Sequence, residues 1–326
     1  AQILGVLAAL GLAGGAIASQ ADAYENLWAK LQFKSAYSAD KTFTHVVENR
    51  SGVITVDKRG TIYGGGAYDG AFNTNPLHDT NMVARPYALA GFHPKPERIL
   101  MIGLSSGSWA QILVNHPDAK ELVIIEINPG YNALVAQFPA VASVLTNPKV
   151  EIHIDDGRRW LLAHADERFD AIVMNTTFHW RGSSTNLLSR EFMAVAKAHL
   201  RPGGVLFYNT TENSSAMKTG CVSFKHGVRI INFMLLSDRD LTPDRERWAD
   251  VLRRYKIDGE PVFKLGNKWH KERIAEMVLL RDSTMGVTDG RWFETCTSIL
   301  SYTKHHKVIT DDNMITEFYR PWDAVP

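Results

Sequence analysis

The chain has 326 residues, of which 45% are hydrophobic and 22% charged, so it is long enough for one large packed domain or two modest ones. Its formal net charge of +1 argues against a general nucleic-acid binder, which would normally carry a basic face. The two cysteines, Cys221 and Cys296, are too few for a disulfide scaffold or a zinc cluster, and we expect both thiols to be reduced.

The first segment, residues 3–18, is almost wholly apolar and carries no charge. It is short for a membrane span, which needs about 20 residues. Three interpretations stay open: the end of a transmembrane helix, the core of a signal peptide, or a buried helix packed on a partner subunit. We assign residues 1–35 to an apolar N-terminal helix that is a candidate membrane attachment. The expected location is the cytoplasmic face of the inner membrane, or the cytoplasm if this helix is not a span.

Residues 36–92 form the next predicted unit, a small β domain with a linking helix. Apolar and polar residues alternate at 44–57 around a turn at 49–52, which predicts a β-hairpin. The segment at 61–70 extends this hairpin into a small antiparallel sheet, and residues 78–92 are expected to be helical.

Beyond a short linker, the pattern changes to brief apolar strands separated by segments long enough for crossover helices. The predicted strands lie at 98–102, 121–126, 150–154, 171–174 and 205–208. The fold class is therefore α/β: a doubly wound, Rossmann-like parallel sheet over residues 93–240, preceded by a small antiparallel β domain. A helix at 213–224 and an apolar strand at 228–237, returning antiparallel at the sheet edge, complete it. We expect residues 241–326 to form a C-terminal helical extension.

Small residues follow the first strand of this sheet at Gly103, Ser105 and Gly107. They let the backbone approach a ligand closely, and the helix after them offers free N–H groups. Glu126 ends the second strand about 20 residues later, where a carboxylate can accept both hydroxyls of a ribose. This order is typical of an adenosine cofactor site.

Asp156 and Gly157 follow the third strand. The carboxylate can accept a hydrogen bond from the adenine amino group, and the glycine permits the turn. Asp155 beside it is expected to cap the next helix. No metal site is predicted, because the adjacent His305 and His306 would point apart in a strand.

These motifs resemble the spermidine synthase (polyamine aminopropyltransferase) family, in a branch where a membrane region precedes the catalytic part. The resemblance covers about residues 45–240, and it implies a class I S-adenosylmethionine-binding fold of the methyltransferase type. The segments at 63–73 and 76–79 stand where the family has its Asp-Gly and Tyr-His-Glu segments. The resemblance therefore places His78 and Asp79 beside the cofactor or amine pocket. The acidic pair Asp311-Asp312 matches a late acidic pair of the family.

The chain departs from the family at two points of the sheet edge. The first turn, at 104–107, has no carboxylate to face the amino group of decarboxylated S-adenosylmethionine. Asn175 stands where the family has an Asp that helps to deprotonate the attacking amine, and an amide cannot act as a base. His179 could supply the base, and Arg181 could hold a carboxylate. We therefore treat Asn175, His179, Arg181, His78 and Asp79 as candidate catalytic residues.

The sequence thus predicts an enzyme: a spermidine synthase-like transferase of polyamine biosynthesis that uses S-adenosylmethionine or its decarboxylated form. The reaction expected is transfer of an aminopropyl-type group to an amine. Two alternatives stay open: a methyltransferase or cyclising enzyme acting on intact S-adenosylmethionine, and a catalytically silent nucleoside-binding scaffold or sensor. Expected partners are a small-molecule amine or carboxylated substrate and a second copy of the chain in a dimer, with no nucleic acid.

Overall fold

The computed structural model of the chain describes residues 14–15, 24–175, 184–210, 212–279 and 293–313. Most of the apolar segment at 3–18 lies outside these residues, so its predicted role in membrane attachment stays untested. Among the residues described, no helix is both long enough and apolar enough to cross a bilayer. The first described helix is Leu27–Phe33, which continues into a short 3₁₀ turn at Lys34–Ala36.

A four-stranded antiparallel sheet follows, in which each strand pairs with the next along the chain. Its strands are β1 (Phe43–Asn49), β2 (Gly52–Asp57), β3 (Thr61–Gly64) and β4 (Ala67–Ala71). The predicted small β domain is confirmed, including the tight turn between β1 and β2.

The helix predicted at 78–92 is wrong as a single element. The chain instead forms a 3₁₀ turn at Pro76–His78 and two helical turns, Ala84–Tyr87 and Leu89–Phe92. Two features interrupt it: Asp79 accepts three backbone N–H groups that follow it, and Pro86 has no N–H to donate.

Among the described residues, the main sheet has eight strands. Five of them are parallel: β5 (Arg98–Ile102), β6 (Glu121–Glu126), β7 (Val150–Ile154), β8 (Phe169–Met174) and β9 (Leu200–Asn209). The other three are β10 (His226–Ile230), β11 (Phe233–Ser237) and β14 (Phe293–Thr295), and the order across the sheet is β14-β10-β11-β9-β8-β5-β6-β7. The chain runs outwards from β5 to β7 and then returns to place β8 on the other side of β5. This confirms the predicted doubly wound sheet and creates a switch point between β5 and β8.

Alternate residues of the parallel strands are buried on opposite faces of the sheet. Ile99 and Met101 belong to one hydrophobic core, whereas Leu100 and Ile102 belong to the other. This division explains why the inner strands β5, β6 and β8 consist almost wholly of apolar residues. Helices and 3₁₀ turns connect the strands: Ser108–Val114, Gly130–Val135, Pro139–Ala142, Ser143–Thr146, Gly157–Ala163, Thr185–Leu187, Arg190–Ala198 and Ser214–Ser223.

The apolar run at 228–237 is two strands rather than the single strand predicted. They are β10 (His226–Ile230) and β11 (Phe233–Ser237), which pair antiparallel around Ile231 and Asn232. A short turn can reverse the chain here because Ile231 adopts a left-handed conformation with φ of 60°. The pairing of β11 with β9 is antiparallel, as expected for a returning strand.

In the described parts of the C-terminal region, residues 241–279 and 293–313, the chain forms three helices, a small hairpin and an edge strand. The helices are Arg245–Arg254, Lys268–Leu279 and Cys296–Tyr302; the hairpin joins β12 (Lys256–Ile257) to β13 (Glu260–Pro261), and the edge strand is β14 (Phe293–Thr295). Since no finding tests the predicted domain boundaries, these stay predictions.

Cys221 and Cys296 form a disulfide that joins helix Ser214–Ser223 to helix Cys296–Tyr302. The expectation of two reduced thiols is therefore wrong. The two cysteines are 75 residues apart in sequence, and they meet because both helices cover the same face of the sheet. A cross-link over this span restricts the unfolded chain and thereby stabilises the folded one.

We expect unreduced protein to show no free thiol after denaturation, because both cysteines are paired. Reduction should lower the free energy of unfolding by about 2–4 kcal/mol. Thiol titration and urea unfolding with and without reductant measure both effects. A variant carrying Cys221→Ala and Cys296→Ala is the control and should not respond to reductant. Two titratable thiols in the unreduced protein would contradict the pairing.

Candidate active site

A cleft of about 470 Å³ opens at the carboxyl ends of β5, β6 and β8. It lies at the switch point of the sheet, where ligands of doubly wound folds bind. Residues 51–53 and 64–65 of the small sheet also line it. The residues predicted to bind the cofactor that line this cleft are Gly103, Ser105, Glu126, Asp156 and Gly157. Their roles in binding stay predictions.

The turn after β5 holds an unusual backbone conformation. Gly103 and Gly107 have φ of 90° and 74°, in a region that glycine adopts without strain. Gly107 caps helix Ser108–Val114 and is not part of the cleft lining. A Cβ atom there would lie 3.1 Å from Val135, so this glycine shapes the turn by allowing close packing.

Glu126 is buried at the end of β6 and joins the cleft to the turn. One carboxylate oxygen accepts the N–H of Leu104 at 2.6 Å, and the other accepts that of Asn128 at 2.8 Å. Burial raises the pKa of Glu126 to about 7, although these backbone N–H groups oppose the shift. The negative charge of Asp69 raises it further. Hydroxyl donors from a ligand would favour the charged carboxylate.

The turn after β7 brings a second carboxylate to the cleft. Asp156 caps helix Gly157–Ala163 by accepting the N–H of Arg159 at 2.9 Å. The cap predicted for Asp155 therefore belongs to Asp156, whereas Asp155 pairs with the Arg159 side chain. A Cβ atom on Gly157 would lie 2.6 Å from Ile102, so only glycine lets this turn approach the end of β5.

Asn175 follows β8 and lines both the cleft and a smaller cavity behind the first turn. Its side-chain oxygen accepts a hydrogen bond from Asn209 at 3.2 Å. His179 and Arg181, predicted as catalytic partners, lie outside the described residues. Their roles therefore stay predictions.

His78 and Asp79 do not line the cleft. His78 is exposed in its 3₁₀ turn and contacts the ring of Trp269, with 5.3 Å between ring centres. Asp79 accepts the N–H groups of Asn81, Val83 and Ala84, which organises the start of the next helical turn. The structure thus gives Asp79 a structural role in the chain.

Asp69, which the sequence analysis did not single out, brings a carboxylate to the first turn. It is buried in β4, lines both cavities, and accepts a hydrogen bond from the hydroxyl of Tyr131. Its backbone carbonyl accepts a hydrogen bond from Ser105. The small sheet therefore supplies an acidic side chain at the turn whose own sequence lacks one. The resemblance of residues 63–73 to the family's Asp-Gly segment was the feature of the sequence that could have indicated Asp69.

The two residues of the late acidic pair differ in burial, since Asp311 is half-buried and Asp312 is exposed. Asp311 accepts hydrogen bonds from Arg158, at 2.7 Å, and from Ser189, at 2.6 Å. The Arg158 guanidinium and the Ser189 hydroxyl lower the pKa of Asp311. Asp311 thus fastens the C-terminal segment to two helices on one face of the sheet and does not line the cleft.

Sequence comparison shows which known proteins this chain is similar to. Residues 87–227 match the family described as the spermine/spermidine synthase domain. The chain is 33% identical over 135 residues to a polyamine aminopropyltransferase of Streptococcus uberis and 30% identical over 123 residues to one of Bacillus subtilis. The resemblance to the spermidine synthase family is confirmed. These alignments cover 41% and 37% of the chain but only 46% and 43% of the relatives. The chain therefore matches less than half the length of either relative.

Solved structures support the same fold. A spermidine synthase in complex with the transition-state analogue AdoDATO superposes with a TM-score of 0.56, covering 72% of this chain and 85% of that one at 16% identity. The spermidine synthase of Thermotoga maritima gives a TM-score of 0.54 at 16% identity, with 68% and 80% covered. At this identity the likeness establishes the architecture alone.

Among the described residues, no cluster of His, Cys, Asp and Glu could hold a metal ion.

The raised pKa of Glu126 predicts how stability depends on pH. Between about pH 4.5 and about 7, the folded ligand-free chain keeps a proton on Glu126 that the unfolded chain has lost. The free energy of unfolding should therefore fall as pH rises through this window, by about 3 kcal/mol from this group. Urea unfolding of wild type and Glu126→Gln measures the difference, which should disappear in the variant. Glu151→Gln, at an exposed position of β7, is the matched control. Equal pH slopes in wild type and Glu126→Gln would contradict the shift.

Proposed function

We propose that the chain is a transferase that binds S-adenosylmethionine or its decarboxylated form and transfers an aminopropyl-type group to an amine. The observation that carries this proposal is the buried Glu126 carboxylate at the switch-point cleft, held between the glycine turn and the end of β6. The names of the relatives support the choice of reaction, since both are called polyamine aminopropyltransferases.

The residues of the cleft suit an adenosine group. Glu126 would accept the two ribose hydroxyls, because its oxygens have lone pairs beyond those used by the backbone. Asp156 would accept from the adenine amino group at the far end of the cleft. Gly157 packs closely against Ile102, and both residues line the cleft. A cleft of about 470 Å³ has the size of a small-molecule site.

The bound cofactor would supply a sulfonium whose neighbouring carbon is open to attack by an amine. The task of the chain is then to orient the amine in line and to receive its proton. Asn175 cannot take this proton. Asp69 is a buried carboxylate that lines both cavities beside the first turn, so we assign it the amine or the proton.

A second candidate function, the use of intact S-adenosylmethionine, is favoured by Asn175 in place of a carboxylate. A third candidate function is a catalytically silent scaffold that binds a nucleoside. The same replacement favours it, because Asn175 cannot act as a base. The homodimer and the location at the cytoplasmic face of the inner membrane, or in the cytoplasm, stay predictions.

Replacing Glu126 by Gln should weaken binding of methylthioadenosine roughly tenfold to a hundredfold, because charged hydrogen bonds to the ribose become neutral ones. Wild-type affinity should also rise with pH between about 6 and 8, since the bound form needs the charged carboxylate. Isothermal titration calorimetry measures both effects, with Glu151→Gln as the unaffected control. Equal affinity of wild type and Glu126→Gln would place the nucleoside elsewhere.

The reaction itself is tested by identifying products. We expect separate incubations with each form of the cofactor and candidate amines to yield, in one combination, methylthioadenosine together with an amine that carries the transferred aminopropyl-type group, both detected by mass spectrometry. The second product must be seen, because cyclisation would also release methylthioadenosine. Formation of S-adenosylhomocysteine from intact S-adenosylmethionine would instead indicate methyl transfer. Tight nucleoside binding without any product would favour the scaffold.

A further inference from the structure

The smaller cavity behind the first turn is a second compartment of the site. It measures about 30 Å³, which is room for a small polar group. It shares Asp69, Gly103, Ser105 and Asn175 with the large cleft, so the two cavities are adjacent. Its remaining wall includes the side chain of Arg85.

A chain of side-chain hydrogen bonds links Arg85 to Asn175. The guanidinium donates to the oxygen of Asn232 at 2.8 Å, Asn232 donates to the oxygen of Asn209 at 3.1 Å, and Asn209 donates to the oxygen of Asn175 at 3.2 Å. A guanidinium can only donate hydrogen bonds. Each side-chain amide in this series must therefore accept at its oxygen and, where it has a further partner, donate from its nitrogen. Asn175 therefore presents its NH₂ group to the site.

Arg85 is a buried cation without a carboxylate partner among the described residues. It is 7% exposed, and three of its N–H groups donate to Asn232 and to the backbone carbonyls of Met82 and Asn81. The rings of Trp109 and Phe233 lie 5.4 Å and 4.5 Å from its guanidinium carbon. Aromatic faces offset part of the cost of burying the charge, but they are no counter-ion.

The charge of Arg85 persists at neutral pH. Burial lowers the pKa of Arg85 to about 10, while the negative charge of Asp79 opposes that shift. The guanidinium has five N–H donors, and two of them have no partner within the part of the chain that the structure describes. An anionic group in the cavity would meet the positive charge and these donors together.

We propose that the Arg85–Asn175 cavity receives a carboxylate of the ligand, and this proposal rests on the proposed nucleoside site. Amide and guanidinium donors suit a carboxylate and disfavour an ammonium group. The same cavity also carries acceptors: the carboxylate of Asp69, and the side-chain oxygen of Asn81, which is buried without a partner among the described residues. A cavity that offers both donors and acceptors fits an amino group and a carboxylate on the same molecule.

The carboxylate could belong to either reactant. Intact S-adenosylmethionine carries one that its decarboxylated form lacks. An amino-acid acceptor carries one where a diamine has a second ammonium group. Both sources share one chemistry, and matched ligand pairs distinguish them.

The experiment compares affinities by calorimetry in two arms. The donor arm uses S-adenosylmethionine against decarboxylated S-adenosylmethionine. The acceptor arm uses protein saturated with methylthioadenosine and compares 4-aminobutanoate with putrescine, which differ only at one end, where a carboxylate replaces a CH₂NH₃⁺ group. We expect the carboxylated ligand to bind roughly tenfold more tightly in at least one arm, and that arm names the source.

Asn175→Asp is the decisive variant, because it keeps the size of the side chain and replaces the donor with a carboxylate. In the arm where the wild type prefers the carboxylated ligand, this variant should instead prefer the ligand that lacks the carboxylate. Asn267→Asp, at an exposed position outside both cavities, is the matched control and should leave the preference unchanged.

The outcomes separate the two proposals. If methylthioadenosine binds but neither arm prefers the carboxylated ligand, or if Asn175→Asp leaves the preference unchanged, the carboxylate site is overturned and the nucleoside site stands. If methylthioadenosine does not bind at all, the proposed function is overturned, and the carboxylate site that rests on it is overturned with it.

Discussion

The Glu126 carboxylate is the constraint on which the rest of the site depends. It accepts one N–H from the turn after β5 and another from the loop after β6, so a single side chain joins the ends of two parallel strands. Burying a carboxylate is costly unless donors surround it, and these two backbone groups offset part of that cost. The pKa of Glu126 is still raised, because burial disfavours the charged carboxylate more than these donors favour it. A ligand with two adjacent hydroxyls would relieve it.

The small antiparallel sheet lines another part of the cleft, and hydrogen bonds hold it in place. Asn49 donates to Asn128 at 2.7 Å, which fixes the sheet to the loop after β6. Ser108 donates to the backbone carbonyl of Ala71 at 2.8 Å, and Tyr131 donates to Asp69. The cleft is therefore bounded by the small sheet and by the loops and helices that follow β5 and β6, and these parts hydrogen-bond to each other. This arrangement explains how an acidic residue can face the first turn although that turn has none.

Sequence patterns predicted the parallel sheet and its strand-end residues because both follow from short-range order. Glycine, carboxylate and apolar residues recur at fixed distances along each strand and turn, and parallel strands end at one edge. The donor chain from Arg85 to Asn175 could not be predicted in this way. Arg85 and Asn232 are 147 residues apart, and neither belongs to a local motif. The disulfide and the hairpin at 226–237 were missed because distant pairing and a single left-handed residue leave no periodic signal.

The cofactor assignment and the reaction therefore rest on different parts of the molecule. Glu126, Asp156 and Gly157 line the cleft at the carboxyl ends of the parallel strands, whereas Asn175 and Arg85 belong to a series of side-chain hydrogen bonds that no pattern in the sequence indicated. A crystal structure with methylthioadenosine bound tests the central claim most directly. The account predicts both ribose hydroxyls within hydrogen-bond distance of Glu126, with the adenine towards Asp156 and the sulfur towards Asn175. A nucleoside bound at full occupancy without contact to Glu126 would contradict it.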